Sequence, residues 1–149
     1  MIQRIQTLYL LGVLVLLALC AHFPVTVLTD AQGKVAALSL IGIVHSSGNL
    51  FLHLLLLIIL GISVILDIIC IFLYKKRKIQ MKQCMINIFL LVGLNLLLFV
   101  QLLMLKMSGI AVLYRLPIIF PLLCAVFTYL AYRGIKKDDE LVKSYDRLR

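Results

Sequence analysis

The chain has no tryptophan, three prolines, and six acidic residues against fifteen basic ones. With so few acids, general acid–base chemistry has little to work with. No cluster of His, Asp and Glu stands out, and no serine or cysteine has a base at a suggestive spacing. A glycine-rich phosphate loop is also missing. The four cysteines, Cys20, Cys70, Cys84 and Cys124, form no Cys-x-x-Cys pair. That spacing argues against a zinc site, a redox pair and the quinone-linked disulfide enzymes of four-helix type. Each cysteine is expected to be small, buried and inert. These absences together point to a protein that is not an enzyme and needs no cofactor.

What the chain has in abundance is apolar sequence. Of 149 residues, 64% are apolar, and the mean hydropathy is +1.14. A soluble domain is only about half apolar. Lipid is the solvent that suits such a surface, and a bilayer core about 30 Å thick needs about 20 apolar residues of helix to cross it.

Four runs meet that need, at about 8–23, 51–73, 85–105 and 116–132. The expected fold is an all-α membrane protein, a single domain of four transmembrane helices over 1–149. The first run is read as an uncleaved helix, because Leu19 stands where a lipoprotein cleavage box before Cys20 wants a small residue. Between the first two runs, about 24–49, β-branched stretches at Val25–Thr29 and Val35–Val44 flank turn residues Asp30–Gly33. This predicts a small β-hairpin outside the membrane, lying on the helix ends. His45–Asn49 supplies turn and cap residues before the second run. Pro117 suits a first helical turn, whereas Pro121 is expected to kink or loosen the fourth helix. Arg133 and Gly134 read as that helix's C-terminus. In the tail 133–149, Leu141, Tyr145 and Leu148 make a stripe, which predicts a short amphipathic helix.

The net charge of +9 is not spread evenly. Arg4, the loop residues Lys75, Lys76, Arg77, Lys78 and Lys82, and six tail residues fall on one side of the membrane. Only Lys34, Lys106 and Arg115 fall on the other. The positive-inside rule then places both termini in the cytoplasm. Tyr9, Tyr74 and Tyr132 fall near the inner interface and Tyr114 near the outer one. This distribution explains the positive charge without nucleic acid, which is not expected as a partner.

Inside the spans, Asp67 is the only acid. A membrane carboxylate is a functional candidate by default, and it must be paired, hydrated or protonated. Ser63 and His53 share its helix face. Asn87, Asn95 and Gln101 share a face of the third span. Antiparallel packing of the two spans predicts a hydrogen-bond cluster of Ser63, Asp67, Asn87 and Asn95. Interhelical glue is the preferred role; a proton relay is the competing one. His22, His45 and His53 lie in the outer half and form a weak metal candidate, because their spacing matches no ligand pattern. An interfacial role is preferred, so no metal is expected.

Three segments carry a resemblance: the opening Met1-Ile-Gln-Arg-Ile-Gln-Thr-Leu-Tyr9, Ile71-Phe-Leu-Tyr-Lys-Lys-Arg-Lys-Ile-Gln80, and the close from Ile135-Lys-Lys-Asp-Asp-Glu-Leu to Arg149. The chain resembles a family of small inner-membrane proteins of Bacteroidota known as Domain of Unknown Function 4293. The resemblance covers nearly the whole chain. It implies a four-span protein of the bacterial inner membrane, and it implies no activity and no site residues.

The expected function is a non-enzymatic subunit or scaffold of a membrane complex. Its partners are the lipid bilayer and another membrane or cytoplasmic protein. That partner, or anionic lipid, meets Lys75, Lys76, Arg77, Lys78, Leu141, Tyr145 and Leu148. The alternative is a small oligomeric proton-coupled transporter that uses Asp67; a homo-oligomer is compatible with either.

Overall fold

The computed structural model describes residues 2–29, 35–41, 50–73 and 76–147. Four helices make an antiparallel bundle: α1 (Ile2–His22), α2 (Leu50–Phe72), α3 (Arg77–Met107) and α4 (Phe120–Arg147). Strands β1 (Thr26–Thr29), β2 (Val35–Leu38) and β3 (Ala111–Tyr114) lie at one end, here the sheet end. The opposite end carries Lys76, Arg77, Lys78 and Lys82, and is the basic end.

The interior positions recur every three and four residues. Gln6, Leu10, Val13, Leu17 and Cys20 are buried on α1, and His53, Leu56, Leu60, Ser63, Asp67 and Cys70 on α2. Cys84, Asn87, Leu91, Leu94, Leu98, Gln101 and Leu105 are buried on α3, and Cys124, Thr128, Ala131 and Ile135 on α4. An apolar repeat averaging 3.5 residues keeps one seam of each helix facing its neighbours and favours left-handed supercoiling. Leu10, Cys70, Cys84, Ala131 and Ile135 close the basic end, drawing on all four helices.

The outward faces are apolar as well. Phe89 is 72% exposed and Phe99 63%, and no more than 33% of the apolar stretch of any helix is buried. Water would charge such a surface roughly 25 cal/mol per Å², whereas lipid tails accept it. All four helices are long and apolar enough to cross a membrane, so the chain has the build of a multi-pass membrane protein.

The sheet is antiparallel, in the order β2-β1-β3. Val27 pairs with Ala37 on one side and with Leu113 on the other. Leu28 and Leu38 pack on Leu105 and Ile110, so the sheet sits on the end of α3. Ser39 Oγ donates to the Ala21 carbonyl at 2.9 Å, tying the sheet to α1. The predicted hairpin is therefore a three-stranded sheet. Its third strand comes from the connection between the third and fourth helices. The turn Asp30–Gly33 and the cap His45–Asn49 lie outside the described residues.

Several helix ends differ from the sequence reading. α3 already begins at Arg77, so most of the supposed basic loop is helix. A 3₁₀ turn over Leu116–Ile119 precedes α4. Pro121 thus falls in the first turn of α4, where a missing N–H costs little, rather than deep in the helix as expected. The tail is not a separate amphipathic helix. α4 runs unbroken to Arg147, because Gly134 does not end it. A Cβ at Gly134 would lie 3.0 Å from Gln6 Cγ, so this glycine serves the close approach of α1 and α4.

Candidate functional site

The α2–α3 seam is built from matched layers. Asn87 Nδ2 donates to Asp67 Oδ1 at 2.8 Å. One turn nearer the basic end, Cys70 Sγ and Cys84 Sγ lie 3.3 Å apart. These two contacts fix the antiparallel register of the helices. His53 precedes Asp67 by two heptads, and Gln101 follows Asn87 by two heptads. They therefore share a layer near the sheet end. Leucines fill the layers between, Leu56 and Leu60 on α2 and Leu94 and Leu98 on α3, all buried.

The seam thus carries two polar layers. At the inner one, Ser63 Oγ, Asp67 Oδ2 and Asn87 Oδ1 are buried without a hydrogen-bond partner among the described residues. At the outer one, the same holds for His53 Nδ1 and both polar side-chain atoms of Gln101. While Asp67 is ionised, Asp67 Oδ2 and Asn87 Oδ1 are both acceptors and cannot bond to each other. A protonated carboxyl could donate from that oxygen. The inner layer is chemically able to hold one proton, and buried polar groups of this kind also fix helix register.

Asn95 does not join the cluster. It is only partly buried, and its Nδ2 donates to the Leu91 carbonyl of its own helix at 2.8 Å. The seam position is Leu94, one residue away, and a rotation of about 100° per residue turns Asn95 aside. The expected group of four therefore reduces to Asp67 bonded to Asn87, with Ser63 beside them on the seam.

The Cys70–Cys84 contact has no signal in local cysteine spacing, because the two thiols meet only when α2 and α3 pack. Gln80 Nε2 donates to the Cys70 carbonyl at 3.1 Å and closes this layer. Cys20 and Cys124 stand apart, their thiols directed at the carbonyls of Pro117 and Val13 at 3.6 and 3.7 Å. All four cysteines are free and buried.

At the basic end, Arg77 faces inward. Its guanidinium lies 3.3 Å from Asp138 Oδ2 and joins the start of α3 to the extension of α4. Lys76 and Lys78 are exposed. Leu141 and Val142 are exposed on the α4 extension, at 40% and 41%. Lys75 and Leu148 lie outside the described residues, as does the side chain of Tyr145. Lys136 and Glu140 make an exposed i,i+4 pair at 4.0 Å.

The two described histidines sit in different settings. His22 is exposed and stacks edge-on against Phe23. His53 is buried in the seam, and His45 lies outside the described residues. Among the described residues, no group of three or more His, Cys, Asp or Glu could hold a metal ion.

One family model matches, over residues 2–148; its description is a domain of unknown function (DUF4293). No curated protein matches the chain. No solved structure matches it either.

Proposed function

Because the chain belongs to the DUF4293 family, a domain of unknown function, we propose that its role rests on what its own geometry offers: a non-enzymatic subunit or scaffold of a membrane complex. It sits in the bacterial inner membrane with both termini in the cytoplasm. The basic end, on the cytoplasmic side, docks another membrane or cytoplasmic protein.

One observation carries this reading. α4 has 28 residues, about 42 Å of helix at 1.5 Å per residue, against a hydrocarbon core of about 30 Å. Counted with the 3₁₀ turn Leu116–Ile119 before it, about 8 Å at about 2 Å per residue, the helix has crossed that core near Arg133, and the surplus beyond is held by the Arg77–Asp138 ion pair. It presents Leu141 and Val142, exposed, on a segment that is mostly charged. A rigid post with apolar residues near its tip suits protein docking. The polar layers of the seam then act as register locks that keep the post in place.

The transporter reading has less support. Asp67 is 1% exposed and lies in a packed seam, hydrogen-bonded to Asn87.

The test is purification in mild detergent from the native membrane, with a tag beyond Arg149 and a control tagged before Met1. A partner should copurify at near-equal amounts. It should be lost in L141A/V142A while the helical content and melting temperature of the bundle stay unchanged. Failure of both tagged forms to hold a partner overturns the reading. So does a partner that stays bound to L141A/V142A.

A further inference from the structure

The basic end contains a second feature that docking does not explain. Between α3 and α4 lies an open groove of about 600 Å³, lined by Lys78, Met81, Lys82, Met85, Ile86 and Tyr132, with Asp139 also in its wall. Its α3 residues follow the i, i+3, i+4, i+7, i+8 pattern of one helix face. They are sorted along that face. Lys78 and Lys82 stand toward the basic end, while Met85 and Ile86 lie deeper toward the middle of the bundle. From Lys78 to Ile86 the helix rises about 12 Å.

We propose that this groove binds one anionic glycerophospholipid of the phosphatidylglycerol class. The proposal shares with the docking reading only the placement of the chain in a bilayer.

The groove matches such a molecule in polarity, order and charge. The lipid phosphodiester lies between the ammonium groups of Lys78 and Lys82, near enough to the bilayer surface for both lysines to stay hydrated. The first methylenes of an acyl chain lie on Met81, Met85 and Ile86. Unbranched methionines adapt to a flexible chain at low cost. Tyr132 is half-buried on α4, at the level where tyrosines sit in the interfacial belt. Its hydroxyl can donate to a glycerol ester carbonyl.

The charges also define the ligand. Arg77, the neighbouring cation, is turned away and engaged by Asp138. Lys78 and Lys82 give the groove its positive charge, which complements the anionic phosphodiester. Inorganic phosphate gains nothing from the apolar floor, so lipid is the better occupant.

The experiment reconstitutes the full chain in nanodiscs of equimolar phosphatidylglycerol and phosphatidylcholine. The protein is then released into detergent, and the retained lipids are counted by native mass spectrometry. One phosphatidylglycerol per chain should be retained in preference to phosphatidylcholine. K78Q/K82Q should lower that retention about tenfold or more. K136Q/K137Q, an equal loss of charge elsewhere on the basic end, should leave it unchanged. Equal retention of the two lipids overturns the proposal. So does an equal effect of the two double variants, which marks diffuse charge attraction rather than a site. Displacement of the lipid by millimolar inorganic phosphate overturns the lipid assignment. A K78Q/K82Q protein that keeps its helical content and its partner but loses the lipid separates this site from docking.

Discussion

Asp67 and Asn87 hold each other across the α2–α3 seam, with Asn87 Nδ2 donating to Asp67 Oδ1 at 2.8 Å and each residue only 1% exposed. Removing one partner leaves the other buried and unpaired, whereas removing both leaves a layer that is apolar but for Ser63. N87L, which strands the carboxyl group, should destabilise the bundle by about 2 kcal/mol. D67L should cost about 1 kcal/mol, and D67L/N87L should come close to wild type. A double-mutant cycle on unfolding in detergent reads the coupling. Additive costs in the double variant mean that the two side chains do not act as a pair.

The Cys70 and Cys84 thiols, 3.3 Å apart, give a chemical test of the same register. A membrane-permeant azo oxidant such as diamide takes one hydrogen from each thiol. A disulfide then links α2 to α3, and the oxidant is reduced to the hydrazine. The intact protein should lose two hydrogens. After unfolding, only Cys20 and Cys124 should take up maleimide. C84S should abolish the link. A wild-type chain that still labels at all four cysteines after oxidation contradicts the register.

The four helices were legible in the sequence because each apolar run has the length of a bilayer core. Part of the seam was legible too. Ser63 and Asp67 on one helix and Asn87 on the other fall on facing stripes, and a 100° rotation per residue is enough to find them. Asn95 fell inside the arc allowed by that rotation but beside the actual seam, since it stands one residue past a full heptad from Asn87, and that residue, about 100° of turn, carries it from the Leu94 position. The Cys70–Cys84 contact was implicit in the Asp67–Asn87 pair, one turn along α2 and one turn back along α3, yet local motif spacing does not reveal it. β3 was missed because its partner β1 lies between the first two helices, and four residues give no periodicity of their own. The reach of α4 was missed because Gly134 looks like a stop, when its missing side chain makes room for Gln6.

Gly109 ends α3 with φ of +79°. The Gly109 N–H reaches the Lys106 carbonyl at 3.2 Å, and the Ile110 N–H reaches Leu105 at 3.4 Å. Leu105 and Ile110 also pack together. This is the Schellman arrangement, and it turns the chain into β3. A Cβ here would meet nothing within 4 Å, so any penalty is purely a backbone one. G109A should lower stability by about 1 kcal/mol, and G109N by less, since Asn tolerates the left-handed region better. Thermal unfolding of both variants checks the order; equal melting temperatures for G109A and wild type contradict the turn.

Arg77 and Asp138 connect the start of α3 to the extension of α4, with side chains 25% and 15% exposed. A pair at this exposure contributes at most about 1 kcal/mol to global stability, so melting is a poor readout. Its effect is local, because past Ile135, the last buried residue described on α4, few packed contacts restrain the helix. R77E should therefore leave the melting temperature nearly unchanged but speed amide exchange in residues 138–147. The reciprocal R77E/D138R should restore protection. High salt should speed exchange in the wild type and in the swapped variant, but not in R77E, where it screens the repulsion between the introduced carboxylate and Asp138. Unchanged exchange in R77E means that the post stands by helix propensity alone, and docking through Leu141 and Val142 would not then depend on the ion pair.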